Sequence, residues 1–170
     1  MNLLFDFTVD KENLTLTLTR EFAAGQDLVW EAWTTAEILQ QWYAPKPFTI
    51  ETKEMSFKEG GRWHYAMLNA EGTKLGWSMQ EFVKITPKTE YVTKNYFCDE
   101  NGQSNNPNFT FSITKNTFEA KGEHTIVRVI KKMESLDQLE KFAASGFIEG
   151  MKMTMAALDE LLPKKSTTKR

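Results

Sequence analysis

Residues 135–162 decide the fold, and they read SLDQLEKFAASGFIEGMKMTMAALDELL. On a helical wheel the apolar side chains share one face and the charged ones gather on the other. Ser135 with Gln138 three residues later fits a capping box, which marks a helix start, and Pro163 marks its stop. The segment therefore predicts one long amphipathic helix, whose apolar face carries Leu139, Ala143, Phe147, Gly150, Met151, Thr154, Leu158 and Leu161.

Two glycines interrupt this apolar face. Gly146 and Gly150 lie one turn apart, and each costs about 1 kcal/mol relative to alanine in a helix. Either another backbone approaches closely there, or open space lies beside the helix. Met151 and Met155 are near, and methionine suits an adaptable lining, although ordinary core packing is the commoner use of such residues.

The rest of the chain is predicted to be mostly β-structure. Residues 14–20 read LTLTLTR, and the strict alternation predicts a half-buried strand. Two short amphipathic helices are predicted at 26–34 and 35–43. Turn residues then separate six further strands, which are predicted at 48–57, 62–68, 75–85, 90–98, 108–119 and 123–132.

Strands grouped in this way favour an antiparallel sheet over a βαβ arrangement. The order predicts an α+β domain in which a curved, seven-stranded antiparallel sheet wraps around the long C-terminal helix, with two short helices after strand 1. We predict an N-terminal extension at 1–13, one domain at 14–162 and a basic, disordered tail at 163–170.

Composition limits the functions to consider. The chain has 170 residues with 41% hydrophobic and 26% charged residues, which is typical of one soluble domain. The net charge of −2 provides no basic field for nucleic acid, and no apolar run approaches the roughly 20 residues of a membrane span. The single cysteine, Cys98, excludes an internal disulfide, and the first residues lack the basic region of a signal peptide. We therefore predict a cytoplasmic protein that binds no nucleic acid and does not span a membrane.

Groups that could perform catalysis are few. His64 alternates with Trp63 and Tyr65, so it is predicted to be a surface imidazole, and His124 lies beside a hairpin turn. Two separated histidines and one cysteine do not make a metal site. A nucleophile elbow, a phosphate-binding loop and a dinucleotide-binding motif are all absent from the sequence. The sequence therefore predicts no catalytic residues, no metal and no cofactor.

One carboxylate left a catalytic alternative open. Glu81 follows the face formed by Trp77 and Met79, so it could point inward, where burial would raise its pKa. The alternative is that the strand has reached its solvent-exposed end at this position.

Three segments carry a resemblance to a known family. They are REFAAGQDLVWEAWTTAEILQQWYAP at 20–45, FKEGGRWHYAM at 57–67 and FIEGMKMTMAALDELL at 147–162. Their order resembles the helix-grip fold of the START-like (SRPBCC) superfamily. Within it, they resemble the homologues of the activator of the 90-kDa heat-shock protein ATPase. The resemblance covers about 14–162, and it rests on the order of the motifs because no single motif is diagnostic.

Two positions depart from the family pattern. Trp42-Tyr43-Ala44-Pro45 replaces the usual Trp-Trp-x-Pro, and Gly150-Met151 replaces Gly-Trp in the final helix. The smaller Met151 could enlarge the space under that helix, or Trp63 or Trp77 could fill it.

The resemblance implies a pocket between sheet and helix. The leading hypothesis is non-catalytic binding of a small hydrophobic or amphipathic molecule. The alternatives are a chaperone-associated interaction module, which would need an exposed apolar patch, and a START-like cyclase or hydrolase, which would need a carboxylate or histidine near the pocket. The predicted lining residues, which would equally make a solid core, are Trp63, Tyr65, Met67, Trp77, Met79, Phe109, Phe111, Phe147, Gly150, Met151 and Met155.

Overall fold

The computed structural model describes residues 3–104 and 110–168 and has α+β architecture. Its strands form a single sheet in the order β1-β2-β8-β7-β6-β5-β4-β3, and every neighbouring pair is antiparallel. This confirms the predicted fold class. The elements are β1 Phe5–Asp10, β2 Thr15–Phe22, α1 Gln26–Thr34, α2 Ala36–Leu39, β3 Thr49–Met55, β4 Arg62–Leu68, β5 Lys74–Thr86, β6 Glu90–Cys98, β7 Ser112–Lys121, β8 His124–Lys132, α3 Leu136–Ala143 and α4 Phe147–Thr168.

The sheet has eight strands among the described residues, where seven were predicted. The additional strand, β1, lies in the segment that was expected to be an extension outside the domain. It reads FDFTVD and pairs with β2 from Phe5 opposite Arg20 to Asp10 opposite Thr15. Phe5 and Phe7 pack against the core while the acidic residues face water. The two short helices therefore follow the second strand.

The C-terminal segment forms two helices, so the prediction of one continuous helix is wrong. Gly146 has a φ of +87°, in the left-handed region that glycine adopts without steric cost, and the chain breaks there between α3 and α4. The predicted start is correct, because the Ser135 hydroxyl accepts a hydrogen bond from the backbone N–H of Gln138 at 3.1 Å. The Gln138 side chain accepts in turn from the backbone N–H of Glu134 at 2.9 Å.

The predicted stop at Pro163 is also wrong. Helix α4 continues through Pro163 to Thr168, so the tail that was expected to be disordered is helical as far as that residue. Proline removes one N–H from the helix, and the carbonyl of Asp159 loses its usual partner. Because Pro163 is exposed, water can reach that side of the helix and hydrate the carbonyl.

The core lies on one face of the sheet. Side chains of directly opposed residues on paired strands share a face, and we call the face that carries Trp63, Phe118 and Val127 the inner face. These three residues belong to the same buried cluster as Trp33 of α1 and Leu158 of α4. The helices therefore cover the inner face, as a helix-grip fold requires.

Two polar contacts fix the helical layer. The Arg20 guanidinium of β2 forms an ion pair with the Asp159 carboxylate of α4, and only 11% of the Arg20 side chain is exposed. The indole N–H of Trp42 donates to the Ala32 carbonyl at 3.0 Å, which ties the segment after α2 to α1. No helix in the described residues is long and apolar enough to cross a membrane.

Candidate functional site

A cavity of about 330 Å³ lies between the inner face of the sheet and helices α3 and α4. This volume is at the lower end of the roughly 300–1,000 Å³ typical of small-molecule sites. Its apolar walls include Tyr43, Pro45, Tyr65, Phe97, Phe111, Met133, Phe142, Phe147 and Met151. Its polar walls include Ser78, Gln80, Asn95, Ser112, Lys131, Gln138 and Thr154.

Six of the predicted lining residues lie around this cavity. They are Tyr65, Met79, Phe111, Phe147, Gly150 and Met151. The last three lie together because they all belong to the first turns of α4, where the helix is regular. A methyl group added to Gly150 would meet only the Pro45 side chain, at 4.0 Å, so the space beside this glycine is open.

Three further predicted residues belong to the packed core beside the cavity. Trp63 and Met155 are buried in the main cluster, and Met67 packs against its edge. The Trp63 ring stacks on Tyr65 with ring centroids 4.0 Å apart, so it supports the cavity wall from behind. Phe109 lies outside the described residues.

The position of Trp77 contradicts the prediction that its side chain points into the same interior space as Trp63, Tyr65 and Phe147. Strand β4 pairs with β5 so that Tyr65 lies opposite Ser78 and Ala66 lies opposite Trp77, which puts the Trp77 side chain on the outer face. There the Lys53 and Lys74 ammonium groups lie 5.7 and 5.3 Å from the indole ring.

Met79 has the same orientation as Trp77. It borders the cavity at its position between Ser78 and Gln80, but its side chain reaches the outer face, where its Cε would lie 3.1 Å from a Cβ at Gly102. The apolar residues Trp77 and Met79 correctly indicate a buried face of β5. That face is the outer one, because the chain after β6 covers this part of the outer face, and the prediction assigned it to the inner face.

His64 is buried under this covering segment, so the prediction of a surface imidazole is wrong. Only 2% of the residue is exposed, and its Nε2 lies 3.0 Å from the Asp99 carbonyl oxygen. Its ring centroid lies 4.8 Å from that of Trp77. Glu81 also faces outward, where it accepts a 2.5 Å hydrogen bond from the Tyr96 hydroxyl. Neither group can therefore act in the cavity.

Lys131 is the one charged residue among the described lining residues. Its ammonium group donates to the Thr114 hydroxyl at 2.9 Å, and burial lowers its pKa from 10.5 to about 8. Lys131 was not among the predicted site residues, although Val127, Val129 and Lys131 alternate on one face of β8 and Lys131 continues the inward phase.

A smaller chamber of about 20 Å³ adjoins the cavity and shares Lys131 with it. Its other walls carry Thr93, Thr114 and Asn116, all of them buried. Trp33 also lines it, and the Trp33 indole N–H is buried without a hydrogen-bond partner among the described residues. This end of the site is therefore polar and rich in donors.

Two tyrosine hydroxyls lie near the same end. The Gln80 amide nitrogen lies 3.4 Å from both the Tyr43 and the Tyr65 hydroxyl oxygens. Burial raises the pKa of both phenols, so they remain protonated at neutral pH. Lys131 is thus the group in this part of the cavity that titrates nearest to neutral pH.

We expect the lowered pKa of Lys131 to make the protein more stable as the pH rises above about 8. Between that pH and 10.5 the unfolded state binds the extra proton, so the free energy of unfolding increases by up to about 3 kcal/mol. Above about pH 10 the buried tyrosines oppose this trend, because their raised pKa values favour the unfolded phenolate. Urea unfolding at several pH values measures the slope, and Lys131→Met should abolish it below pH 10. An unchanged slope in that variant would contradict the assignment.

The fold and the cavity define a class of protein. An antiparallel sheet that grips C-terminal helices around an internal cavity is the helix-grip domain of the START-like (SRPBCC) superfamily. The family of "Activator of Hsp90 ATPase homolog 1-like protein" matches residues 23–163, and the chain belongs to this family.

Solved structures of bacterial proteins share the fold. A crystal structure of a protein from Mycobacterium smegmatis has a TM-score of 0.84 at 24% identity, with 95% of this chain and 97% of that chain covered. A solution structure of a protein from Arthrobacter aurescens has a TM-score of 0.84 at 25% identity, with 94% and 91% covered. A crystal structure of a protein from Nitrosomonas europaea has a TM-score of 0.75 at 24% identity, with 91% and 97% covered. No curated protein matches the sequence significantly.

Proposed function

We propose that this protein binds a small amphipathic molecule in the cavity between the sheet and helices α3 and α4. The observation that carries the proposal is the cavity itself, with an apolar wall and a polar end within about 330 Å³. A purely structural core would fill this volume with side chains, because protein interiors pack to the density of organic crystals. The open space beside Gly150 belongs to the same cavity.

The two walls suit different parts of one ligand. Phe142, Phe147 and Met151 on the helices face Tyr65 on the sheet, and together they can cover an apolar body. Lys131 and Asn95 lie at the polar end, where a ligand's head group can form hydrogen bonds. Ligand sites commonly combine mostly apolar walls with a few polar groups that set orientation.

The two alternative functions find less support. A cyclase or hydrolase was expected to place a carboxylate or histidine near the pocket, and the described lining residues include neither. A chaperone-associated module was expected to expose a contiguous apolar patch. No described helix or strand carries more than two of the exposed large apolar residues, which are Leu4, Val9, Leu75, Val83, Phe97, Leu136 and Met153.

Replacing Gly150 by alanine tests the cavity at a single position. The added methyl group meets no atom closer than 4.0 Å, so we expect the free energy of unfolding to rise by up to about 1 kcal/mol from helix propensity. The same methyl group occupies ligand volume, so the affinity for decanol should fall several-fold. Urea melts and calorimetric titration measure the two effects.

Gly76→Ala is the matched control, because its methyl group also meets nothing within 4 Å but Gly76 does not line the cavity. Its affinity for decanol should equal that of the wild type. If Gly150→Ala destabilises the protein and leaves binding unchanged, the site beside α4 is not the ligand site.

A further inference from the structure

The polar end of the cavity contains a cation without a counter-charge. Lys131 forms no ion pair with any carboxylate in residues 3–104 and 110–168. An ammonium group has three donors, and the Thr114 hydroxyl accepts from it at 2.9 Å. The centroid of the Phe142 ring lies 5.7 Å from Nζ. Lys131 is half-buried, and a charge that is partly removed from water is costly unless it is paired, so this ammonium favours an anion beside it.

A second donor at the same end is also unsatisfied. The Trp33 indole N–H is buried, has no partner among the described residues, and belongs to a residue that lines the small chamber next to Lys131. Buried donors without partners are rare in folded proteins, and each one costs free energy until an acceptor is supplied. Indole and ammonium groups are hydrogen-bond donors only, so a ligand that satisfies both of them must supply acceptors.

The size of the chamber limits the head group. Its volume of about 20 Å³ is a small fraction of the 330 Å³ of the main cavity, so it has room for only a small group. A carboxylate has two oxygens and so offers one acceptor to each of these two donors. A phosphate or sulfate group is larger and carries more oxygens than these two donors can complete.

We propose that the ligand of this cavity is an amphipathic monocarboxylate, with its carboxylate held by the Lys131 ammonium at the chamber and its apolar body lying against Phe142, Phe147 and Met151. This inference rests on the proposed function and specifies its ligand class. The lowered pKa of Lys131 agrees with it, because the empty site disfavours the ammonium and a bound carboxylate favours it.

Calorimetric titration with three probes of equal chain length tests the proposal. Decanoate, decanol and decylamine, each below its critical micelle concentration, differ only in the head group. Wild-type protein should bind decanoate most tightly and decylamine most weakly. Lys131→Met should weaken decanoate about ten- to a hundredfold, the range for a hydrogen bond to a charged group, and should leave decanol unchanged or tighter.

Lys132→Met is the matched control. Lys132 is the next residue of β8 and is exposed on the opposite face, so this variant removes the same charge from the protein without touching the cavity. Its affinity for decanoate should remain that of the wild type. Retained decanol binding by Lys131→Met shows that this variant is folded.

The outcomes separate the two proposals. If decanoate and decanol bind equally well and Lys131→Met weakens neither, the carboxylate inference is overturned while the cavity remains a ligand site. If Lys132→Met weakens decanoate as much as Lys131→Met, the attraction is a general effect of surface charge and the inference is again overturned. If no probe binds the wild type, the proposed function and the inference both fall.

Discussion

Replacing Trp42 by alanine should destabilise the protein by about 3–5 kcal/mol. Trp42 is 1% exposed, and its ring packs edge-to-face against Trp33 at 5.0 Å and Tyr43 at 5.3 Å. The substitution removes this packing, leaves a large hole, and takes away the hydrogen bond to the Ala32 carbonyl. Because Tyr43 lines the cavity, ligand binding should weaken as well.

Trp77→Ala is the matched control for this experiment. Trp77 lies half-buried on the outer face of the sheet, where it contacts lysine side chains, and it does not line the cavity. Its loss should cost about 1 kcal/mol, in the range of surface cation–π contacts, and leave ligand binding unchanged. Urea unfolding compares the two variants. Equal destabilisation by both would contradict the assignment of Trp42 to the inner layer and Trp77 to the outer face.

Replacing Gly61 by alanine should destabilise the protein by about 3 kcal/mol, the upper part of the range for overpacking. A Cβ at this position would lie 2.1 Å from the Ser56 carbonyl oxygen and 3.0 Å from that of Lys58. These are backbone atoms, so the turn before β4 must move to relieve the clash. That movement disturbs the hydrogen bond from the Phe82 N–H to the Gly61 carbonyl, now 2.9 Å long.

Gly76→Ala provides the comparison, because an added methyl group there meets nothing within 4 Å. Its free energy of unfolding should differ from the wild type by less than about 1 kcal/mol. Thermal or urea melts of the two variants separate a steric clash at Gly61 from a general intolerance of an added methyl group. A Gly61→Ala protein as stable as Gly76→Ala would contradict the close approach of the two backbones.

The sequence predicted those parts of the fold that local periodicity determines. The predicted strands at 62–68 and 90–98 coincide with β4 and β6, because polar turns bound them on both sides. β1 was missed, although its Phe5 and Phe7 alternate with polar residues, because a six-residue pattern at a chain end resembles an unstructured extension.

The break between α3 and α4 shows a limit of periodicity. Gly146 lies in phase with the apolar face of a continuous helix, so the wheel gives no sign of the break. Only its φ of +87° distinguishes a glycine that ends a helix from one that lies within it. Gly150, four residues later, is helical and borders open space. Open space was one of the two explanations considered for the glycines, and close approach of another backbone was the other.

The site was predictable only in part, because it depends on how separate elements meet. The aromatic and methionine residues of α4 were found from helical phase, whereas the face of Trp77 depended on the register between β4 and β5 and on the chain that covers the outer face. Lys131 carried an inward-phase signal that was not among the predicted site residues. A lysine that lies in phase with buried valines on a strand therefore indicates a site, which the charge composition of the whole chain does not reveal.

The central claim is that the cavity between the sheet and helices α3 and α4 receives an amphipathic molecule. Methionine-methyl NMR during titration with decanoate tests it most directly, because Met133 and Met151 line the cavity and Met153 lies half exposed on α4. The account predicts that the methyl signals of Met133 and Met151 shift in a saturable manner while that of Met153 stays in place. A titration that moves only Met153, or moves none of the three, would contradict it.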